Sequence, residues 1–471
     1  MPNHVITNIP DSVLADLSVD PAFLIREPAE IRAMSADSSV RSKKAEAHDR
    51  PLAQAVMVAR PTTTAEVSQI LAWATRNGIP VTPRGLGSGV VGSGLPTRGG
   101  LILDVAGMDN IGEVDVTNRT VTVGAGARLS DVDDAIAHTG LSIGHYPQSF
   151  HLASVGGSIA MRGSGTFSSL HGNMDDRVGD LEVVLPTGEV VTTHSMPRAS
   201  LGPDLKQLFA GSEGMLGIIT QVTLKLVPLP ASRRFNSVRY DTFEQALETI
   251  RLTLAAGVRP AVVRIYDPVE ASAKHAQFAE HEGWLTILVF DGDEQLIATQ
   301  EQVTLRFAAD QGGTVLGPEP AMHWEQRRFN WSWFTDAVDH EGGVAEAIEV
   351  SAGWAELPAL YERMKAAAGT VMPEFMAHVS HVYDQGAALY AIVRGEFSDD
   401  EEALKHYDDV WEAVVTSALD AGAVMGHHHG VGLERAPWME RALGVGGLNL
   451  LRTVQRALDP AGIMNPGKAG L

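Results

Sequence analysis

Three adjacent histidines, His427, His428 and His429, stand in Gly426-His-His-His-Gly-Val-Gly432. Imidazole titrates near neutral pH, so such a group suits proton transfer or hydrogen bonding to a reacting oxygen. A metal is the competing use. Neighbours on a strand point to opposite faces, so one ion could take His427 and His429 but hardly all three. Apart from Glu434 no acidic residue sits beside them, and we expect acid/base work and no metal. Tyr390 closes Ser380-His-Val-Tyr-Asp-Gln-Gly-Ala-Ala-Leu-Tyr390 and can be read as a reactive phenol or as a strand aromatic. Arg264 lies in the apolar run Val263-Arg-Ile-Tyr266. A guanidinium there is costly unless it is paired or binds an anion.

Glycine-dense, nearly charge-free segments form the second kind of chemistry. They are Pro83-Arg-Gly-Leu-Gly-Ser-Gly-Val-Val-Gly-Ser-Gly94, Gln148–Gly165 and Gly211–Thr220. Glycine loses the most backbone freedom on folding, so such runs make sense where backbone must lie close against a large flat ligand. Gly87-Ser-Gly-Val-Val-Gly92 fits the letters GxGxxG, but Leu95-Pro-Thr-Arg-Gly-Gly100 follows it and cannot be the helix a dinucleotide fold requires. Successive backbone N–H groups can instead cradle a pyrophosphate as an anion nest, with Arg84 and the serines assisting.

These residues need elements to hold them. Ala55–Ala59, Ile79–Thr82, Gly100–Asp104 and Thr120–Val123 read as strands, with helices at Ala65–Asn77 and Leu129–His138. Leu181–Leu185 and Glu189–Thr193 read as a hairpin around Pro186-Thr-Gly188, and Ile218–Leu226 as a further strand. The second half changes character. Helices are expected at Phe243–Ala256, Ser351–Ala368, Asp400–Ala421 and Leu448–Leu458, and strands at Val262–Tyr266, Leu285–Phe290 and Ala388–Val393. That mixture suits an antiparallel α+β cap laid over a site. We expect an N-terminal segment at 1–50, a cofactor domain at 51–230, a cap at 231–425, and a segment at 426–471 that returns to the cofactor domain.

With 471 residues, 44% hydrophobic and 20% charged, the chain has the composition of a multidomain globular protein. Its net charge of −22 argues against nucleic acid or an anionic membrane surface as main partner. A small molecule is the expected partner, and a homodimer is left open. No run reaches the roughly 18 apolar residues of a membrane span, no signal pattern opens the chain, and we expect a cytoplasmic protein. There is no cysteine, which excludes disulfides, thiolate nucleophiles and Cys-ligated clusters.

The order of the motifs carries a resemblance. Gly-His-Tyr-Pro147, Ala153-Ser-Val-Gly-Gly157, Gly172-Asn-Met-Asp-Asp176, Gly202-Pro-Asp204 and Gly211-Ser-Glu-Gly-Met-Leu-Gly217 follow the glycine loop in turn. The series resembles the PCMH-type FAD-binding domain of the vanillyl-alcohol-oxidase flavoproteins. Within them it is most like the alkyldihydroxyacetonephosphate synthases, over about residues 55–471. The resemblance implies an α+β fold of two FAD-binding subdomains plus an antiparallel cap, with FAD as cofactor. Arg84, Gly85, Gly87, Ser88, Gly89, Val90 and Ser93 would hold the pyrophosphate. Gln148, Ser149, Ser154, Gly156, Gly157, Met161, Gly163 and Ser164, with Glu213, Gly214, Gly217, Ile218 and Ile219, would line the rest of the cofactor. No histidine lies in the glycine loop, and non-covalent FAD is expected.

The same resemblance makes Tyr390 the acid/base tyrosine and His427, His428 and His429 the histidine cluster. His145 falls at another active-site histidine and Arg264 at a substrate-side arginine. Thr335 stands where those synthases carry an arginine for their substrate's phosphate, counting back from Glu349-Val-Ser-Ala-Gly-Trp354. The related 2-hydroxy-acid dehydrogenases carry a metal-binding His-x-x-Asp-Gly-x-x-His pattern, of which only His381 is kept. Two activities follow. One is FAD-dependent oxidation of an alcohol or hydroxy acid by hydride transfer to flavin N5. The alternative is a redox-neutral, ether-forming transferase working through a flavin N5 adduct. The missing phosphate clamp favours the first.

Overall fold

The computed structural model describes residues 5–194, 196–278 and 283–471. Four sheets organise them. The first runs Leu24–Ile25, Met57–Ala59, Leu101–Asp104, Val81–Arg84, with the last three strands parallel. Thr64–Asn77 is the crossover helix between two of these. Its start is fixed by a reciprocal cap between Thr63 and Glu66, and its end by Gly78 in the left-handed region at φ +63°. The second sheet is antiparallel, in the order Ile111–Asp115, Thr120–Gly124, Ile218–Lys225, Val178–Val184, Val190–Thr192. The predicted hairpin is its edge pair.

The third sheet is a short pair, Leu141–Ser142 with Val227–Pro228. The fourth has seven antiparallel strands in the order Thr314–Val315, Ser232–Tyr240, Trp284–Gly292, Val262–Tyr266, Glu374–Tyr383, Gly386–Glu396, Gly343–Gly353. Strand side chains alternate, so the sheet has two faces. Val263, Ile265, Ala377, Val379, Leu389, Ala391, Val393, Ile348 and Val350 pack into one core with the helices Phe243–Ala255, Leu357–Ala368 and Asp400–Asp420. The opposite face carries the chemistry.

The helix expected from Ser351 starts later. Ser351 is still sheet, opposite Ala388 and bridged to Val424, and the helix is Leu357–Ala368. Pairing with a buried neighbour strand outweighs local propensity here. The last helix starts earlier than expected, at Met439, and carries a kink at Gly444. Beyond it the chain returns to the first half: Met464 bridges Val81, and Asn465 Nδ2 donates to the carbonyls of Ser93 and Glu213 at 3.0 and 2.7 Å.

Candidate active site

Sheet register assembles the centre. Glu349 lies opposite Tyr390, Tyr390 opposite His378, and His378 opposite Tyr266, one row across four strands. Partners in register share a face, so the row turns away from the helical core. His381 joins it through a bulge. Val379 pairs with Leu389 but His381 pairs with Ala388, so Ser380 is the extra residue and His381 is returned to the Tyr390 face. Ser380 Oγ then bonds His381 Nδ1 at 2.7 Å, and His381 Nε2 lies 3.1 Å from the Gly165 carbonyl.

The three histidines are not on a strand. They form a bend wrapped around the carboxylate of Glu349, whose Oε1 accepts the backbone N–H groups of His427, His428 and His429 at 3.3, 3.3 and 3.0 Å. Its Oε2 takes the fully buried Arg435 at 2.5 Å and His429 Nδ1 at 2.8 Å. The expectation from strand alternation is therefore corrected. His427 and His428 face the same way, towards His381, and His429 turns to Glu349. Ring nitrogens of His381, His427 and His428 lie within 4.8 Å of one another. A trio able to share a cation thus exists, though not the pair expected from spacing.

Tyr390 Oη lies 3.1 Å from His428 Nε2. His428 Nδ1 lies 2.9 Å from His427 Nδ1, and His427 Nε2 lies 2.6 Å from Tyr383 Oη. Phenol, imidazole, imidazole and phenol form one hydrogen-bonded line. Burial, and next Glu349, push the Tyr390 phenol above its ordinary range. Burial, then His429 and His427, hold His428 well below its own. His427 falls to about 4, mainly by burial. At neutral pH the line is uncharged. Burial alone would raise Glu349, but Arg435 and His429 outweigh it and keep the carboxyl well below the usual carboxylate range.

Arg264 shares this face, 9% exposed. Its guanidinium makes only long contacts, 3.4 Å to Tyr266 Oη and 3.5 Å to His378 Nε2, and its Nε has no partner. Thr335 lies on Ser332–Val338, and its hydroxyl bonds back to the carbonyls of Trp331 and Ser332 at 3.4 and 3.3 Å. Of the arginines just before it, Arg327 is exposed. Arg328, expected on a solvated helix face, is instead half-buried over the rings of Tyr146, Phe167 and Phe329.

The glycine segments fit a pyrophosphate-bearing cofactor. Among the described residues, the N–H groups of Leu86 through Val91 donate to no protein acceptor, while Gly92 N–H is taken by Asp37 at 2.9 Å. A row of free N–H groups in a charge-poor loop is an anion nest. Gly87 is left-handed at φ +77°, and a Cβ there would collide with the Arg84 guanidinium. Arg84 itself is anchored on the Ala36 carbonyl at 2.6 Å. Gly85 closes on Ser154, which caps the turn containing Gly156 and Gly157. His145 is fully buried with neither ring nitrogen bonded, beside Gly163, and burial takes it down to about 3. An imidazole always carries an N–H, so this orphan points to a missing acceptor at the segment assigned to the cofactor.

Other expected cofactor residues play supporting parts. Both carboxylate oxygens of Glu213 are used within the protein, by Ser93 Oγ at 2.8 Å and the N–H groups of Val431 and Gly432 at 2.6 and 2.9 Å. The side chains of Glu213 and Ser93 therefore tie the histidine bend to the glycine loop. Met161 packs on Gly430, Gly214 on Pro83, and Ser164 donates to Asn173 at 2.7 Å. Gln148 and Ser149 lie in a turn whose Gln148 side chain reaches the Arg328 carbonyl at 3.4 Å. Gly217 precedes Ile218 and Ile219, which pair with Val184 and Val183. Sequence reasoning missed Glu270, His378, Tyr383 and Arg435. Only strand alternation from Met376 to Ser380 could have placed His378 on the Arg264 face.

Comparison with known proteins agrees with this geometry. The family described as FAD linked oxidases, C-terminal domain, matches residues 229–469, and that described as FAD binding domain matches residues 55–194. An alkyldihydroxyacetonephosphate synthase of Trypanosoma brucei brucei is 27% identical over 455 residues, 89% of this chain and 73% of that protein. A mitochondrial D-lactate dehydrogenase [cytochrome] of Arabidopsis thaliana is 28% identical over 421 residues, 88% and 73% of the two chains. A solved alkyldihydroxyacetonephosphate synthase superposes with a TM-score of 0.80 at 22% identity, over 98% of this chain and 85% of that one, which shows the shared PCMH-type fold. With both halves of the chain matched, this protein belongs to the FAD-linked oxidases, and FAD is its cofactor.

Proposed function

We propose that the chain is a FAD-dependent oxidoreductase acting on an oxygenated small molecule, and that among alcohols and hydroxy acids it takes a hydroxy acid. Arg264 carries this reading. Among the described residues no carboxylate stands within ion-pairing distance of it, although it is buried and lies beside the Tyr390 row. A buried guanidinium without a counter-charge is costly, and a substrate carboxylate supplies one. Thr335 offers no cation for a phosphate dianion, which supports a monoanionic substrate over a phosphorylated ketone.

The bound flavin supplies a two-electron acceptor for the hydrogen on the carbinol carbon. The chain's own residues do the rest. Arg264 fixes the carboxylate, and the uncharged row of phenol and imidazoles surrounds the hydroxyl and offers its proton a destination. Burial of Tyr390, His378 and His381 keeps water from competing. A redox-neutral ether-forming transferase is the second reading, supported by the Trypanosoma relative and by the Tyr390–His428 pair, which suits proton transfer in either reaction. Anaerobic mixing of the holoprotein with alcohols, hydroxy acids and acyl ketone phosphates separates the two. Bleaching of the flavin by a hydroxy acid is expected. A spectrum perturbed only by an acyl ketone phosphate would replace the oxidoreductase with the transferase.

A further inference from the structure

We propose that His378, oriented by Glu270, is the base that takes the substrate's hydroxyl proton. This rests on the hydroxy-acid reading above.

His145 lies beside Gly163 in the segment assigned to the cofactor, and in the histidine bend and the row around Tyr390 hydrogen bonds occupy the other imidazoles. His428 has its two nitrogens on Tyr390 and His427, His427 on His428 and Tyr383, and His381 on Ser380 and the Gly165 carbonyl. His429 is turned to Glu349. His378 holds Nδ1 on a carboxylate and meets only a long contact at Nε2, to Arg264. Its Nδ1 lies 2.8 and 3.0 Å from the two carboxylate oxygens of Glu270, a residue with no solvent exposure. A carboxylate only accepts, so Nδ1 carries the hydrogen and Nε2 keeps its lone pair. A carboxylate fixing the tautomer of a histidine base is a recurrent way to aim one.

That lone pair is directed at the anion site. His378 Nε2 lies 3.5 Å from Arg264 Nη1, a guanidinium that no carboxylate among the described residues pairs with directly. In a 2-hydroxy acid the hydroxyl and the carboxylate are on adjacent carbons. A carboxylate on Arg264 therefore brings the hydroxyl up to His378. The imidazole stacks on Tyr390, ring centres 4.7 Å apart and planes 16° from parallel, so both present their edges to the same space.

Charge supports the division of labour. The groups facing His378 are Arg264 and Tyr266 on its neighbour strand, Glu270 and Lys274 on the helix Pro268–Lys274, Tyr390 across the sheet, and His381 on its own strand. Burial takes His378 down to about 4, against the pull of Glu270 and with the push of Arg264 and Lys274. At rest it is neutral and able to accept. A carboxylate on Arg264 offsets part of that push, so the base strengthens when substrate binds. The raised Tyr390 phenol stays protonated and donates to the oxygen as it becomes a carbonyl. In the step, the O–H bond breaks with its proton going to Nε2. The carbinol C–H breaks with hydride going to the bound FAD. The alcohol is oxidised to a carbonyl and FAD is reduced by two electrons.

The test uses FAD-loaded protein. The hydroxy acid that bleaches wild-type flavin fastest is compared in His378→Gln and Glu270→Gln, with flavin absorbance per protein reporting intact folding. We expect reduction to slow about 10²–10⁴-fold in His378→Gln, the range for loss of a general base, with substrate affinity changed less. Glu270→Gln should slow it less and shift the rising limb of the pH–rate profile. A second readout needs no turnover: calorimetric titration of wild type with oxalate near pH 6, in buffers of differing ionisation enthalpy, should show proton uptake that His378→Gln lacks. Unchanged reduction rates in His378→Gln, or oxalate binding without proton uptake in wild type, would overturn the proposal. If no hydroxy acid reduces the wild-type flavin, it is the hydroxy-acid reading that has failed.

Discussion

Glu349 sets the shape of the centre although it is not itself poised for proton transfer. Itself fully buried, it collects three backbone N–H groups, the equally buried Arg435 and the half-buried His429. Removing one partner of a buried pair leaves the other uncompensated, so Glu349→Gln should cost about 3–5 kcal/mol by denaturant unfolding. Its pH signature follows from its depressed folded pKa. The stabilisation is complete above the unfolded value of about 4.3 and is lost as pH falls through the folded one. The buried histidines act at higher pH. His145 at about 3, and His378 and His427 at about 4, all lie below the unfolded value of about 6.5. Below that pH the unfolded chain binds protons the folded chain refuses, so calorimetric Tm should fall steadily from pH 7 to pH 5. His145→Gln should flatten the fall. For Tyr390→Phe we expect flavin content unchanged and flavin reduction slowed by about 10²-fold, the lower end of acid–base effects.

At the scale of elements, the bulge at Ser380 decides which side of the sheet receives His381. Without the bulge, plain alternation from His378 would put Ser380 on the Tyr390 face and His381 on that of Leu389 and Ala391, among helix-packing residues, because one residue of register exchanges the faces. Deleting Ser380 removes only the extra residue and leaves His381 opposite Ala388 on the Tyr390 face, so the deletion, like Ser380→Ala, should preserve folding and flavin content, as Tm and visible absorbance would show. The glycine loop makes a parallel demand. Gly87 is left-handed and closed against Arg84, so Gly87→Val should yield folded protein with little visible flavin absorbance. Tm in the presence of added FAD would show whether binding alone was lost.

Over the whole molecule, the site is a seam between elements far apart in sequence. Glu213 bonds the bend at Val431 and Gly432, Asn465 reaches Ser93 and Glu213, and the buried Lys468 donates to the Leu95 carbonyl at 2.7 Å. A cofactor lodged in such a seam stabilises the fold by mass action, about 2.7 kcal/mol at a hundredfold excess over Kd. Stripping FAD should therefore lower Tm, and adding it back should restore the loss. Acid denaturation is expected to release the flavin into the supernatant, since no histidine lies in the glycine loop; flavin that stays with the protein would show a covalent link.

Local patterns of spacing and composition were enough to mark the glycine loop, the Arg264 strand, Tyr390 and the histidine run, because chemistry-bearing residues in apolar or glycine-rich surroundings stand out along the chain. Those patterns also supported an α+β fold and, with the motif order, FAD. They could not separate Glu270 from an ordinary surface pair with Lys274 four residues on, nor show that His378 would stack on Tyr390. They misplaced the histidines on a strand, since the carboxylate that bends them lies 78 to 80 residues away. Which residues face one another is fixed by strand register, one bulge and the burial of paired charges. Those are agreements between distant segments, and only the folded chain makes them.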